Sequence, residues 1–237
     1  MRIRLPLRRS LFFLAAFLFS LVALLPLGLA LRWLSLDERG FAAREAQGSV
    51  WLGMVKEAQL GPVPLGDLQA RLRGLPLLIG RARVDLDHLG EGEGFEGGIS
   101  VSRHAFGVDD VRAVLAPGQV GPLPAASFDL DDLSFRFANG LCSSADGLVK
   151  ATLAGDSSGV ALPRSLSGNA RCDGGALLLP LVGRSGMERL DLRLFEDGRY
   201  RIELLLRPAD EAARRRLASA GFTAAGAALA LRTEGRF

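Results

Sequence analysis

Asp67-Leu68-Gln69-Ala70-Arg71-Leu72-Arg73 carries an apolar side chain at every second position, and Arg81-Ala82-Arg83-Val84-Asp85-Leu86-Asp87 does the same a few residues later. A period of two sets one side of the chain on a core and the other in water, as in a half-buried β-strand. Residues 189–194 and 201–206 repeat the pattern, with one lapse at Leu205. Less regular strands are read over 50–60, 99–104, 128–137, 147–154 and 176–181. Turn signals separate them: Gly74 with Pro76, residues 87–98 and 117–124, and Asp197-Gly198, a short-hairpin signature. About nine or ten short strands without alternating long helices predict antiparallel sheet rather than a doubly wound α/β fold. One helix comes late. Pro208 and Asp210-Glu211 open it, Arg214, Arg215 and Arg216 suit the negative end of its dipole, and Gly221 closes it. Residues 109–115 fit either a strand or a short helix.

Working toward the N-terminus, residues 11–31 hold no charged side chain. At 1.5 Å per residue such a run makes roughly 31 Å of helix, enough for a hydrocarbon core. Arg2, Arg4, Arg8 and Arg9 precede it without an acidic residue, the charge that keeps an N-terminus cytoplasmic. A cleaved signal peptide is the competing reading, because Gly28-Leu29-Ala30 imitates a small-x-small site, but its apolar region is normally shorter. The expected fold is mainly β: a single N-terminal transmembrane helix, then a periplasmic curved antiparallel β-sheet domain with one late α-helix. The expected boundaries are a basic cytoplasmic tail over 1–10, an anchor over 11–31, a linker over 32–47 and the β-domain over 48–237. Pro117, Gly118, Gly121, Pro122 and Pro124 mark either a hinge between two half-domains meeting near 116–126 or a long surface loop.

Without the four leading arginines the net charge of +3 becomes −1, so the basic balance belongs mainly to the anchor. Later arginines alternate with acids, as on a solvated strand face, and no stripe of basic residues with interleaved aromatics points to nucleic acid. Cys142 and Cys172 are the two cysteines, both beyond the apolar run. In an oxidising compartment a disulfide is expected, with two separately buried thiols as the alternative. Catalytic or metal chemistry finds no convincing pattern. Gly155-Asp156-Ser157-Ser158-Gly159 matches a nucleophile elbow as a string, but His88 and His104 both precede it, where the triad order needs a histidine after it. Gly92-Glu93-Gly94-Phe95-Glu96-Gly97 fits a dinucleotide fingerprint, yet its glutamates would repel a pyrophosphate. Asp129, Asp131 and Asp132 read as surface charge, since a calcium loop needs further oxygen ligands at set spacing. No enzyme, cofactor or metal is expected.

Gly48-Ser49-Val50-Trp51-Leu52-Gly53 resembles the Gly-Ser/Thr-x-Trp-x-Gly motif of general secretion pathway protein N, the type II secretion system protein N family. Cys142, Leu166-Ser167-Gly168 leading to Cys172, the strand pair around Asp197-Gly198-Arg199-Tyr200 and a helix ending at Gly221-Phe222 resemble that family's C-terminal half. The resemblance covers the anchor and most of the remainder; residues 90–124 match nothing recognisable. Trp51 is expected to pack where the first strand leaves the membrane, with Gly48 and Gly53 permitting close backbone approach. The family implies a minor, single-pass inner-membrane subunit of the type II secretion machine, supporting its assembly or stability through contact with other inner-membrane subunits. The tryptophan motif is shared with AsmA-like envelope proteins, so the alternative is a carrier holding lipid chains in a curved apolar groove.

Overall fold

Strand-period sequence can satisfy its backbone only by pairing, and here it does so with its neighbours in the chain. The computed structural model describes residues 7–33, 41–60, 63–90, 94–115, 125–153, 156–157, 160–161 and 165–236. The first part comprises α1 (Leu7–Ala23), α2 (Leu27–Trp33), β1 (Phe41–Ala42), β2 (Glu45–Ser49), β3 (Leu52–Leu60), β4 (Val63–Arg73) and the single turn α3 (Gly74–Leu77). There follow β5 (Arg81–His88), β6 (Glu96–Ser102), β7 (Ala105–Leu115), β8 (Ala125–Ala138), β9 (Leu141–Leu153), β10 (Asp156–Ser157) and β11 (Val160–Ala161). The chain ends with β12 (Ser165–Asn169), β13 (Arg171–Asp173), β14 (Ala176–Gly183), β15 (Glu188–Leu194), β16 (Arg199–Leu206), α4 (Glu211–Ser219), β17 (Thr223–Ala225) and β18 (Ala228–Arg236).

Sixteen strands form one open antiparallel sheet in the order β1-β3-β4-β5-β6-β7-β8-β9-β12-β14-β15-β16-β18-β17, with β2 beside β3 and β13 beside β14. Strands β10 and β11 pair separately. The expected antiparallel β-domain with one late helix is therefore present. Asp210 caps that helix, its Oδ1 accepting from the Ala213 amide at 2.6 Å, as the opening Asp-Glu pair predicts. Residues 109–115 fall within β7.

The register lines up one apolar face across the sheet. Val55 lies opposite Leu68, Ala70 opposite Leu86, Val84 opposite Ile99, and Val108 opposite Phe135. Farther along, Leu130 meets Val149, Leu181 meets Leu190, and Leu190 meets Leu204. The deepest core lies on the later strands, where Val149, Leu166, Leu177, Leu181 and Leu204 are fully buried and Leu217 of α4 joins their cluster. Burying each such leucine is worth about 1.5–3 kcal/mol. A smaller cluster of Leu27, Val55, Ala58, Leu68 and Ala70 joins α2 to β3 and β4.

Long strands twist on their own and bend sharply only where the ladder is interrupted. Glu57, Asp110 and Asp132 adopt left-handed backbone where the registers of β3, β7 and β8 slip. Each slip is a bulge that bends its strand and sharpens the twist. Two are pinned by side chains: the Glu57 amide donates to Asp67 Oδ1 and the Asp110 amide to Ser134 Oγ, both at 2.8 Å.

The outer face is laced with ion pairs. Arg83 reaches Asp85 at 3.0 Å and Asp109 at 3.5 Å, Arg193 reaches Asp173 at 2.9 Å, and Arg232 reaches Glu203 at 2.7 Å. Burial works against the charge of Asp85, but hydrogen bonds from Arg73 and Arg83 outweigh it and hold the carboxyl below its ordinary value. The alternating arginines thus answer acids on the same face, within a strand or on strands one or two places away.

Two of the expected segments are built differently, and a third lies mostly outside the described residues. The single helix over 11–31 is replaced by α1 and α2, separated at Leu24–Pro26, and among the described residues no helix is long and apolar enough to cross a membrane. Pro26 has no amide hydrogen and disfavours helical backbone at Leu25, which accounts for the break. The stretch 32–47 expected as linker contains β1 and most of β2, both paired with β3, so the sheet begins upstream of Gly48. Of the segment expected as hinge or loop, 116–124 lies outside the described residues, as do residues 1–6 of the expected tail; β7 and β8 are adjacent partners, with Leu115 opposite Phe128.

Candidate functional site

The six residues from Gly48 to Gly53 form the tip of the β2–β3 hairpin. Ser49 pairs with Leu52 and Gly48 with Gly53, leaving Val50 and Trp51 as the two-residue turn. Gly48 adopts φ +82°, and a Cβ there would lie 2.7 Å from the Leu52 carbonyl oxygen. Only glycine takes this backbone without strain. The Ser49 hydroxyl accepts from the Leu52 amide at 3.3 Å, tightening the turn.

This tip seats the end of the apolar helix. The last carbonyls of any helix lack intrahelical donors and must find partners elsewhere. Trp51 Nε1 donates to the Val22 carbonyl at 3.0 Å, and the Val50 amide donates to the Leu25 carbonyl at 3.0 Å. Pro26 bridges to Ser49, directly where the helical run breaks. Leu27, the first residue of α2, drops into the small core, where a Cβ on Gly53 would stand only 2.5 Å from its Cδ2. The motif glycines therefore make room for backbone and for Leu27, while the tryptophan caps α1.

Val22, Leu25 and Leu27 were not singled out by sequence reasoning, since nothing local marks a helix carbonyl as the partner of an indole 29 residues away. Pro26 was the available signal. We expect Trp51→Phe to keep the ring but remove the shorter of the two hydrogen bonds to the Val22 carbonyl, leaving it only the Leu25 amide at 3.4 Å and costing about 0.5–1.5 kcal/mol. Limited proteolysis between α1 and α2 should quicken; an unchanged cleavage rate would dismiss the cap.

Cys142 on β9 and Cys172 on β13 form a disulfide with their Cα atoms 5.5 Å apart. The remaining residues weighed from the sequence are scattered. His88 is enclosed by Gly66, Gly90 and Gly94 with its Nδ1 buried and unbonded, and His104 lies at the β6–β7 turn. Asp129 pairs with Lys150 at 3.4 Å and Asp132 with Arg112 at 2.6 Å. Among the described residues no group of three His, Cys, Asp or Glu is placed to hold a metal. Gly155, Ser158 and Gly159 of the elbow-like string, and Gly92 and Glu93 of the glycine-rich string, lie outside the described residues.

The arrangement positions a helix on a sheet whose order, among the described strands, runs from β1 to β17 without closing. A family model described as type II secretion system (T2SS), protein N, matches residues 39–232, from just before β1 into β18. No curated protein and no solved structure matches the chain.

Proposed function

The chain belongs to the type II secretion system protein N family, and from that premise we propose that it is a minor inner-membrane subunit that supports assembly or stability of the machine. Its N-terminus lies in the cytoplasm and its sheet in the periplasm. The observation that carries the membrane reading is the surface of α1. Leu11, Phe12, Phe13, Leu14, Phe17, Phe19, Leu21 and Val22 are all exposed, and at 100° per residue they surround the helix. A helix apolar on every side needs lipid or protein around it. The Cys142–Cys172 bond suits an oxidising periplasm.

Contact with other subunits is supported by the open edges. From Leu231 to Arg236, β18 pairs with β16 alone, which leaves one side of its backbone unpaired by any described strand. Such an edge can accept another strand, and Arg232, Glu234 and Arg236 would make the pairing selective. Deleting the chain should reduce release of secreted proteins, with the subunits it touches falling in abundance. Normal release and unchanged subunit levels would overturn the assignment.

A second reading has its own observation. On the middle strands Val84, Ile99 and Val108 are half-buried, and Val101 and Phe106 of the same apolar face are exposed. That surface fits the AsmA-like alternative, in which the sheet holds lipid chains. Mass spectrometry of gently purified protein decides it: retained acyl lipid favours the carrier, and consistent absence removes it.

A further inference from the structure

The β4–β5 connection is Gly74-Leu75-Pro76-Leu77-Leu78-Ile79-Gly80. In a soluble loop such apolar residues would turn inward, but Leu75 is 82% exposed, Leu78 84% and Ile79 73%, with Leu77 also exposed. Four large apolar side chains on one tip make a concentrated patch. Its backbone is unusually self-sufficient: the amides of Leu78, Ile79 and Gly80 donate to the carbonyls of Leu75, Pro76 and Leu77 at 3.0–3.2 Å. Internal satisfaction of amides is what a segment needs before leaving water for hydrocarbon.

The position of the tip points to the same medium. A Cβ on Gly74 would lie 3.5 Å from the Trp51 ring, and Trp51 is bonded to the final turn of α1. The Leu72 amide donates to the Val50 carbonyl at 3.3 Å, tying the end of β4, just before the tip, to the Val50–Trp51 turn. The tip thus stands beside the end of the apolar helix, on the same rim of the sheet. Arg81 begins β5, and Arg103 lies in the turn after β6 opposite it; both are exposed and without ion pairs among the described residues. Long cationic side chains next to an apolar tip can reach phosphate head groups while the tip goes deeper.

We propose that Leu75, Leu77, Leu78 and Ile79 enter the periplasmic leaflet of the bilayer beside α1, giving the sheet a second membrane contact that fixes its tilt. This rests on the reading of α1 as a membrane anchor. One helix alone leaves a domain free to swivel; a helix and a wedge on the same rim hold it in one orientation. Lipid is preferred over a protein partner because the patch adjoins Trp51, which holds the end of the anchor, and is flanked by Arg81 and Arg103, neither with an ion pair among the described residues.

The test uses the full chain in vesicles of phosphatidylethanolamine and phosphatidylglycerol, with an environment-sensitive fluorophore on one introduced thiol. The native cysteines are bonded to each other, so labelling is selective. L78C and I79C report on the tip, F17C on α1, and R184C on the opposite rim. The tip probes should be shielded from iodide several-fold relative to R184C, and quenched more by a nitroxide near the lipid head group than by one deep in the chains. Tip probes open to iodide while F17C is quenched by lipid would overturn the wedge and leave the anchor standing. Shielding from iodide without lipid quenching would mean a protein cover, and also overturns it. If F17C too is untouched by lipid nitroxides, the anchor reading falls and the wedge with it.

Discussion

Replacing Cys142 and Cys172 together with serine is expected to lower stability by about 3–4 kcal/mol, taking the chain-entropy relation for the closed loop. The bond joins positions 30 apart in sequence. It also sits where backbone pairing stops. The β9–β12 ladder ends with Asn169 opposite Leu148 and one further bond from the Ala170 amide to the Gly147 carbonyl at 2.9 Å; nearer the tip the two stretches are joined by the disulfide and by the Cys142 amide donating to the Gly175 carbonyl at 2.8 Å. Without the covalent link this corner can fray, and Phe137, which lies opposite Cys142, would lose part of its cover. At about 2–4 °C per kcal/mol for a domain of this size, the melting midpoint should fall by about 10 °C. Adding reductant to the native protein should reproduce the fall and have no effect on the double variant. A double variant that melts with the oxidised parent would contradict the prediction.

Gly168→Ala should be nearly as damaging for a different reason. Gly168 lies on β12 between β9 and β14, and a Cβ there would fall 2.0 Å from the Pro180 carbonyl oxygen and 3.3 Å from Leu181 Cα. Both obstacles are backbone, so no rotamer change relieves them. The approach exists because β14 changes partner here: β12 pairs with it as far as Ser167 opposite Val182, and β13 takes over at Arg171 opposite Leu178. Pro180, which has no amide to donate, falls in the gap between these ladders. Forcing a methyl into the gap must part strands that bury Leu166 and Leu181. We expect a loss at or above the upper end of the about 1–3 kcal/mol typical of overpacking. In urea the midpoint should drop while the slope stays unchanged. Gly28→Ala is the matched control, because its Cβ would meet Ala46 at 3.8–3.9 Å, an ordinary contact. Equal midpoints for the two variants would show that the gap at Pro180 relaxes freely.

Much of the sheet was legible because alternation is local. The faultless runs at 67–73 and 81–87 lie within β4 and β5, and Asp197-Gly198 is the β15–β16 turn, with Gly198 at φ +80°. Short strands were not legible: β1, β10, β11, β13 and β17 each offer only two or three residues, too few for a period to emerge. Serine and glycine hid β12, whose pattern depends on Gly168 having no side chain. The break at Pro26 was visible as a residue, but a hydropathy run measures only how apolar a segment is. It does not weigh a missing amide or the offer of a new partner from a hairpin 24 residues on.

The candidate site divides in the same way. Gly48, Ser49, Trp51 and Gly53 stood out as a pattern, whereas their partners did not, because a helix-end carbonyl looks the same in every sequence. The turn at Gly74–Gly80 was equally visible as a turn; its apolar residues could have belonged to a core.

By itself the amino-acid order determined the strand period, the capped late helix, the apolar leader and the two cysteines, since each depends on neighbours within a few bonds. Only the tertiary structure decided that the leader ends on Trp51, that Cys142 meets Cys172 beyond the end of the β9–β12 ladder, and that Leu75, Leu78 and Ile79 face outward. Those outcomes depend on which distant backbone groups satisfy one another, and hydrogen-bond partners are chosen by the register of the whole sheet.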